Sequence, residues 1–207
     1  VGAVHIVKEL KQQLEESLGK ELKLAGVAYP PGTQKADSQA IRYVAEGAGF
    51  EVVSMLDEPT AANAVLNISD GVVVDVGGGT TGIAVLEQGR VVYVADEPSG
   101  GTHFSLVIAG ANKIPFEEAE QLKLDKTKHQ ELFPVVKPVM EKVAAIIAKH
   151  VGDFKPRAIY LAGGTSCFTG LEKVVEGVTG IPVYKPENPF LVTPLGIALA
   201  VQQELEG

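Results

Sequence analysis

The chain has 207 residues, with 18 Lys+Arg against 26 Asp+Glu and a formal net charge of −8, a balance that opposes nucleic acid or anionic lipid as a partner. Its 45% hydrophobic and 21% charged residues are ordinary for a folded soluble protein of one large or two modest domains, and no apolar run approaches the length that crosses a bilayer. A single cysteine, Cys167, excludes an internal disulfide framework and suits a reducing cytosol, while His5, His103, His129 and His150 lack the close spacing of a metal site and read as surface or packed histidines.

In chain order, Ile6, Leu10, Leu14 and Leu18 recur every four residues along one face of a first predicted helix, which Gly19 ends. A strand is predicted at 24–29, then a Pro30-Pro31-Gly32 loop, a cap at Asp37 or Ser38 and a helix over 41–48. Residues 52–56 form a second strand, and Asp57-Glu58-Pro59 opens a helix over 60–66. From Gly71 the pattern changes. Residues 72–76 and 83–86 are short, β-branched-rich runs bounded by glycines, the composition of buried strands, and 91–95 is a third. A long helical region follows, with 116–124 and 135–151 at helical spacing. After Lys155-Pro156-Arg157 come a strand over 158–162, a helix over 170–178, a short strand around 182–184, and a last helix with Thr193 as N-cap and Pro194 at its first position.

The chemistry concentrates between the runs 72–76 and 83–86. A tight reversal must join them, and three adjacent glycines, Gly77, Gly78 and Gly79, allow backbone conformations barred to other residues and let amides approach an anion with no Cβ in the way. Thr80 and Thr81 add hydroxyl donors. Asp75 stands where a carboxylate can hold Mg²⁺ through water, a metal that keeps several waters and takes one or two carboxylates plus substrate phosphates. Acid, glycines and hydroxyls together suit a metal-bound polyphosphate. The alternative is a glycine-rich hairpin with a satisfied aspartate.

Residues 1–70 read α-β-α-β-α and 71–207 read β-β-β-α-β-α-β-α, the same plan with its opening three strands missing from the first copy. The comparison predicts about 60 to 80 further residues at the front, from typical strand and turn lengths. It also predicts a first lobe over 1–70 and a second over 71–207, with a nucleotide between them. A single α/β domain with a decorated N-terminus is the alternative.

These residues resemble the nucleotide-binding domains of the actin, hexokinase and 70-kilodalton heat-shock protein superfamily. Asp75-Val-Gly-Gly-Gly-Thr80 is similar to its second phosphate loop, and Leu56-Asp57-Glu58-Pro59-Thr60-Ala61-Ala62 to the first connecting helix of the chaperone branch. Gly100-Gly101-Thr102-His103-Phe104 resembles the glycine pair after the third strand, Ile159-Tyr-Leu-Ala-Gly-Gly-Thr-Ser166 the adenosine loop, and the stretch from Asn188-Pro189 through Thr193-Pro194 to Ala198 the second connecting helix. More narrowly, segments 2–7, 75–103, 116–123 and 133–142 resemble a compact chaperone-like branch encoded with a bacterial microcompartment pathway for ethanolamine utilisation.

The resemblance implies a two-lobed, actin-like ATPase fold of duplicated ribonuclease H-like units, the first lobe lacking its N-terminal strands, in a cytoplasmic protein that takes ATP and Mg²⁺. It implies that Glu58 places the attacking or a metal-bound water, and that Asp75 and Thr80 sit beside the metal and the terminal phosphate. Gly77, Gly78, Gly79, Thr80, Thr81 and Gly101 would meet the phosphates, Glu117, Glu120 and Lys123 the ribose or adenine edge, and Gly163, Gly164 and Thr165 the adenosine. Relatives stack an arginine on adenine where this chain has Cys167 and Phe168, so stacking is expected to be weaker or done differently. With no Asp-x-Gly-Thr loop and no lysine assignable to the terminal phosphate, the chain is expected to hydrolyse ATP poorly. The implied role is a chaperone-like ATP binder whose partner is a protein client or an enzyme of the ethanolamine pathway or its microcompartment. The alternatives are a non-catalytic assembly adaptor, and a small-metabolite kinase, which would need a substrate-side base and sugar-binding cluster that the sequence does not display. A first-lobe sheet short of three strands would invite a homodimer.

Overall fold

The computed structural model describes residues 2–206. Valine-rich runs too short for helices set up two sheets. In the first, β1 (Leu24–Tyr29) and β2 (Glu51–Asp57) are parallel and are bridged by α2 (Lys35–Gly47), with α1 (Gly2–Leu18) before them and α3 (Glu58–Leu66) after. The second sheet has the order β5-β4-β3-β6-β7, from β3 (Gly71–Val76), β4 (Thr81–Glu87), β5 (Arg90–Glu97), β6 (Ile159–Ala162) and β7 (Val183–Tyr184). β3, β4 and β5 form an antiparallel meander, whereas β6 and β7 run parallel to β3. Helices α4 (Gly101–Asn112), α5 (Phe116–Leu124) and α6 (His129–Val151) cross from β5 to β6, α7 (Leu171–Thr179) joins β6 to β7, and α8 (Val192–Glu206) closes the chain.

Side chains alternate across β3, and both of its faces are covered. Val72, Val74 and Val76 meet a core that includes Phe104, Ile108, Val136, Met140 and Ile147. Val73 on the other face clusters with Ala62 of α3 and Val192 of α8. Helices α3 and α8 cross closely: a Cβ on Gly196 would overlap the carbonyl of Ala61. Helix α8 also lies on β1, where a Cβ on Gly26 would come within 2.7 Å of Ile197 and Val201. This helix pair therefore connects the two sheets.

Several predicted boundaries move. Helix α4 is absent from the predicted order, because its glycine start and near-uniform apolarity conceal a helical stripe, although Phe104 and Ile108 are fully buried. Helix α6 starts six residues before the predicted 135 and contains Pro134 and Pro138. Both prolines lie on its exposed side, where water can satisfy the carbonyls that lose a partner. Helix α2 starts at Lys35, with Gln34 at the N-cap position, ahead of the predicted Asp37 or Ser38 cap. In α1 the predicted stripe does not face a core: Ile6, Leu10, Leu14 and Leu18 are between 53% and 60% exposed. That helix instead touches its neighbours through Val4, 3.3 Å from the Cβ position of Gly47, and through Lys11, which donates to Gly49 O at 2.8 Å and lies over the Phe50 ring. Among the described residues, no helix is long and apolar enough to cross a membrane.

Candidate functional site

The reversal between β3 and β4 is closed by Gly77 N–H donating to Thr80 O at 3.0 Å. Its carbonyls are held from behind. Gly101 N and Thr102 N, the first amides of α4, donate to Gly77 O and Gly78 O at 2.9 and 2.8 Å, and Thr165 Oγ1 donates to Gly77 O at 2.7 Å. The amides of Gly78, Gly79 and Thr80 have no partner among the described residues. None of the three glycines adopts a left-handed conformation, so the conformational one of the two expected reasons for glycine does not apply. A Cβ on Gly78 or Gly79 would meet no atom of the chain within 4 Å, and both residues are exposed. No neighbouring atom of the chain requires glycine at these two positions.

The threonines divide. Thr80 is half-buried and its hydroxyl has no hydrogen-bond partner among the described residues. Thr81 is fully buried and its hydroxyl donates to Ser99 O at 2.6 Å, which withdraws it from the ligand role that the sequence suggested.

Carboxylates gather beside the hairpin. Asp75 is the next-to-last residue of β3, and its Oδ2 accepts from Thr193 Oγ1 at 2.7 Å. Thr193 was expected to cap α8, but that helix starts at Val192 and the hydroxyl goes to Asp75 instead. Burial raises the pKa of Asp75, with the Thr193 bond opposing it. Gly163, at φ +87°, follows β6 so closely that a Cβ there would overlap Asp75 Oδ1. Glu58, at the first position of α3, has its pKa pushed up to about 7 by burial and then by the charges of Asp75, Asp96 and Asp57. Asp57 caps α3, accepting from Thr60 N at 3.0 Å and Thr60 Oγ1 at 2.7 Å. Asp96 escaped the sequence reading. Strand register is the signal that finds it, since Gly82 pairs with Asp75 on one side and with Asp96 on the other, which puts both acids on one face.

Among the described residues, no three acids or histidines converge closely enough to hold a metal by themselves. Asp75 and Glu58, buried carboxylates beside the hairpin, still suit Mg²⁺ held through water, one or two carboxylates and phosphate oxygens.

Next to the hairpin lies a cavity of about 450 Å³ lined by Gly78, Glu120, Lys123, Gly164, Thr165 and Phe190, among others. That volume falls in the usual range of small-molecule sites, roughly 300–1,000 Å³. Lys123 Nζ donates to Glu120 Oε2 at 2.6 Å and to Gly101 O at 3.2 Å, and Ser105 Oγ donates to the same Glu120 oxygen at 2.5 Å. Burial works against the Glu120 carboxylate, but the bonds from Lys123 and Ser105 and the lysine charge hold its pKa below the usual value. Gly101 is buried under this network, where a Cβ would overlap Thr165 Oγ1. Glu117, in the first turn of α5, is exposed and does not line the cavity.

The structure thus gathers Gly78, Glu120, Lys123, Gly164 and Thr165 around one cavity and sets Asp75 and Glu58 beside each other. Sequence reasoning missed Ser105, Asp96 and the Thr193 contact. Phe168 is buried with its ring stacked on His129 at 4.0 Å, so it offers no free face. The histidines are packed or exposed as expected: His129 bonds Thr169 and Lys123 O, His150 bonds Tyr93 and Glu97, and His5 is exposed.

Two family models match the chain: MreB/Mbl protein over residues 3–116 and cell division protein FtsA over residues 72–196. The chain is 43% identical over 207 residues to ethanolamine utilization protein EutJ of Salmonella typhimurium, covering 100% of this chain and 72% of the relative. It is 41% identical to the protein of that name in Escherichia coli K12, covering 73% of it. The crystal structure of ethanolamine utilization protein EutJ from Carboxydothermus hydrogenoformans superposes with a TM-score of 0.90 at 50% identity, over 96% of this chain and 74% of that one.

Proposed function

The chain belongs to the family of ethanolamine utilization protein EutJ and has the actin-like ATPase fold, and from that premise we propose that it binds ATP with Mg²⁺ as a chaperone-like protein of the cytoplasm. The observation that carries the reading is the bare hairpin, in which free amides at Gly78, Gly79 and Thr80 sit beside Asp75 without any demand from the chain for glycine. Successive free amides form an anion-binding concavity, and a missing Cβ lets a phosphate approach them. Gly164, Thr165, Glu120 and Lys123 wall the cavity that would take the adenosine side of the ligand. Asp75 would hold Mg²⁺ through water, and Thr193 fixes its carboxylate.

Bound Mg-ATP would supply a phosphoanhydride, and such transfer depends mainly on positioning and charge neutralisation. Glu58, with a pKa of about 7, can both accept a hydrogen bond from water and hold its proton near neutrality. Lys123 neutralises Glu120 and holds the start of α4 through Gly101 O, which keeps the rear of the hairpin rigid. The two sheets act as two lobes around the nucleotide, with α3 and α8 connecting them. A nucleotide that binds one lobe arrangement better shifts the population toward it, and through that shift it changes affinity for a protein partner. The partner class is an enzyme or assembly protein of the ethanolamine pathway. The exposed α1 stripe favours a second reading, an adaptor that uses the fold as a protein-binding surface without nucleotide.

Calorimetric titration with Mg-ATP and Mg-ADP separates the two. The nucleotide reading expects saturable binding that weakens when EDTA removes Mg²⁺ or when Asp75 is changed to Ala. Heat of dilution alone, with a folded protein, supports the adaptor.

A further inference from the structure

The cavity beside the hairpin has mostly apolar walls, a few polar groups and one exposed aromatic ring. Resting on the nucleotide reading above, we propose that Phe190 is the platform on which the purine base stacks, and so the residue that makes the site prefer a nucleotide over bare phosphate.

The ring belongs to a 3-10 turn, Pro189–Leu191, between β7 and α8. The backbone of that turn is pinned on both sides of the ring. Pro189 is buried and its carbonyl accepts from Gly163 N at 3.0 Å, while Asn188 O accepts from Leu191 N at 3.2 Å. Phe190 itself is 60% exposed. A lone exposed phenylalanine is unremarkable in general, but this one lines the cavity and lies against the glycine that forms its floor. A Cβ on Gly164 would come within 3.2 Å of Phe190 Cδ2 and 3.7 Å of Cε2, so the bare glycine leaves room for the ring.

The nearby aromatic side chains cannot take this part. Phe104 is fully buried, and Phe168 is buried with its ring stacked on His129 and T-shaped to Phe104. The other cavity walls supply polar groups, Glu120, Lys123 and Asn188, suited to the rim of a base or a sugar. A cleft that provides one pre-positioned ring and a polar rim matches the way proteins hold nucleobases, by stacking that every base can satisfy.

The test uses the whole chain, its Phe190→Ala and Phe190→Trp variants, and two probes, Mg-ADP and Mg-pyrophosphate, of which the second has no base. Because Phe190 is exposed, both variants should fold, which circular dichroism checks. Phe190→Ala should weaken Mg-ADP about 5- to 100-fold and leave Mg-pyrophosphate unchanged. Phe190→Trp should keep ADP affinity and, in a chain with no other tryptophan, show fluorescence quenched by ADP and not by pyrophosphate. If the wild type binds ADP and Phe190→Ala binds it equally well, or loses both probes in parallel, the stacking role is overturned while nucleotide binding stands. If the wild type binds neither probe, the nucleotide reading itself fails and this proposal goes with it.

Discussion

The two sheets are made from similar alternations of strand and helix, yet they are closed very differently. In the five-stranded sheet, β3 and β4 are buried along almost their whole length, and α6 alone contributes eight buried residues. In the two-stranded sheet, β1 has no fully buried position and α1 buries nothing. The contrast teaches that secondary-structure propensity is shared while burial is not. Residues 71–184 carry their own core, and residues 2–57 depend on α3 and α8 lying across them.

That contrast can be broken most severely at the helix crossing. Gly196→Val would drive a side chain into the Ala61 carbonyl, and urea unfolding should register a loss of about 4 kcal/mol or more. Hydrogen exchange should then show β1 and β2 opening well before β3. Uniform exchange across both sheets would mean that the two halves are one cooperative unit. Ile147→Ala, in the sealed half, should lower stability by about 2–5 kcal/mol in the same denaturation measurement.

A smaller effect belongs to the boundary between the halves. Glu58 has a folded pKa of about 7, above its usual 4.5, so the folded chain keeps a proton that the unfolded chain releases. Its contribution is intact below about 4.5 and declines as pH rises through about 7, by on the order of 1–3 kcal/mol. Melting temperature against pH should show that decline in the wild type and a flatter profile in Glu58→Gln. Equal slopes would remove the carboxyl from the account. Smallest of all is Leu10→Ala on the exposed stripe of α1, expected to change stability by less than about 0.5 kcal/mol in urea. A loss near 2 kcal/mol would show that the stripe is covered in solution.

The sealed half was the more legible of the two. Residues 72–76 and 83–86 read as strands because glycines bracket β-branched runs, and the observed strands differ from them by only one or two residues at an end. Asp57-Glu58-Pro59 read as a helix opening because a capping acid and an early proline are local signals, and Asp57 does cap α3. The signals that failed depended on partners distant in sequence. Thr193 carries every local mark of a cap, but a carboxylate 118 residues away takes its hydroxyl. Thr81 has the composition of a ligand donor, and Ser99 O claims it. The α1 stripe has core periodicity without a core, which periodicity alone cannot reveal. At the candidate site, of the two reasons read for the glycines, the special backbone conformation fails, since none has a positive φ, while the open space above Gly78 and Gly79 agrees with the other.

That space provides the most direct test. Gly78→Val places a side chain where the chain has no atoms, so the variant should melt at the wild-type temperature when no nucleotide is present. If the hairpin amides hold a phosphate, adding Mg-ADP should raise the melting temperature of the wild type and leave that of Gly78→Val unchanged. An equal rise in both proteins would contradict the assignment of the bare hairpin as the phosphate site.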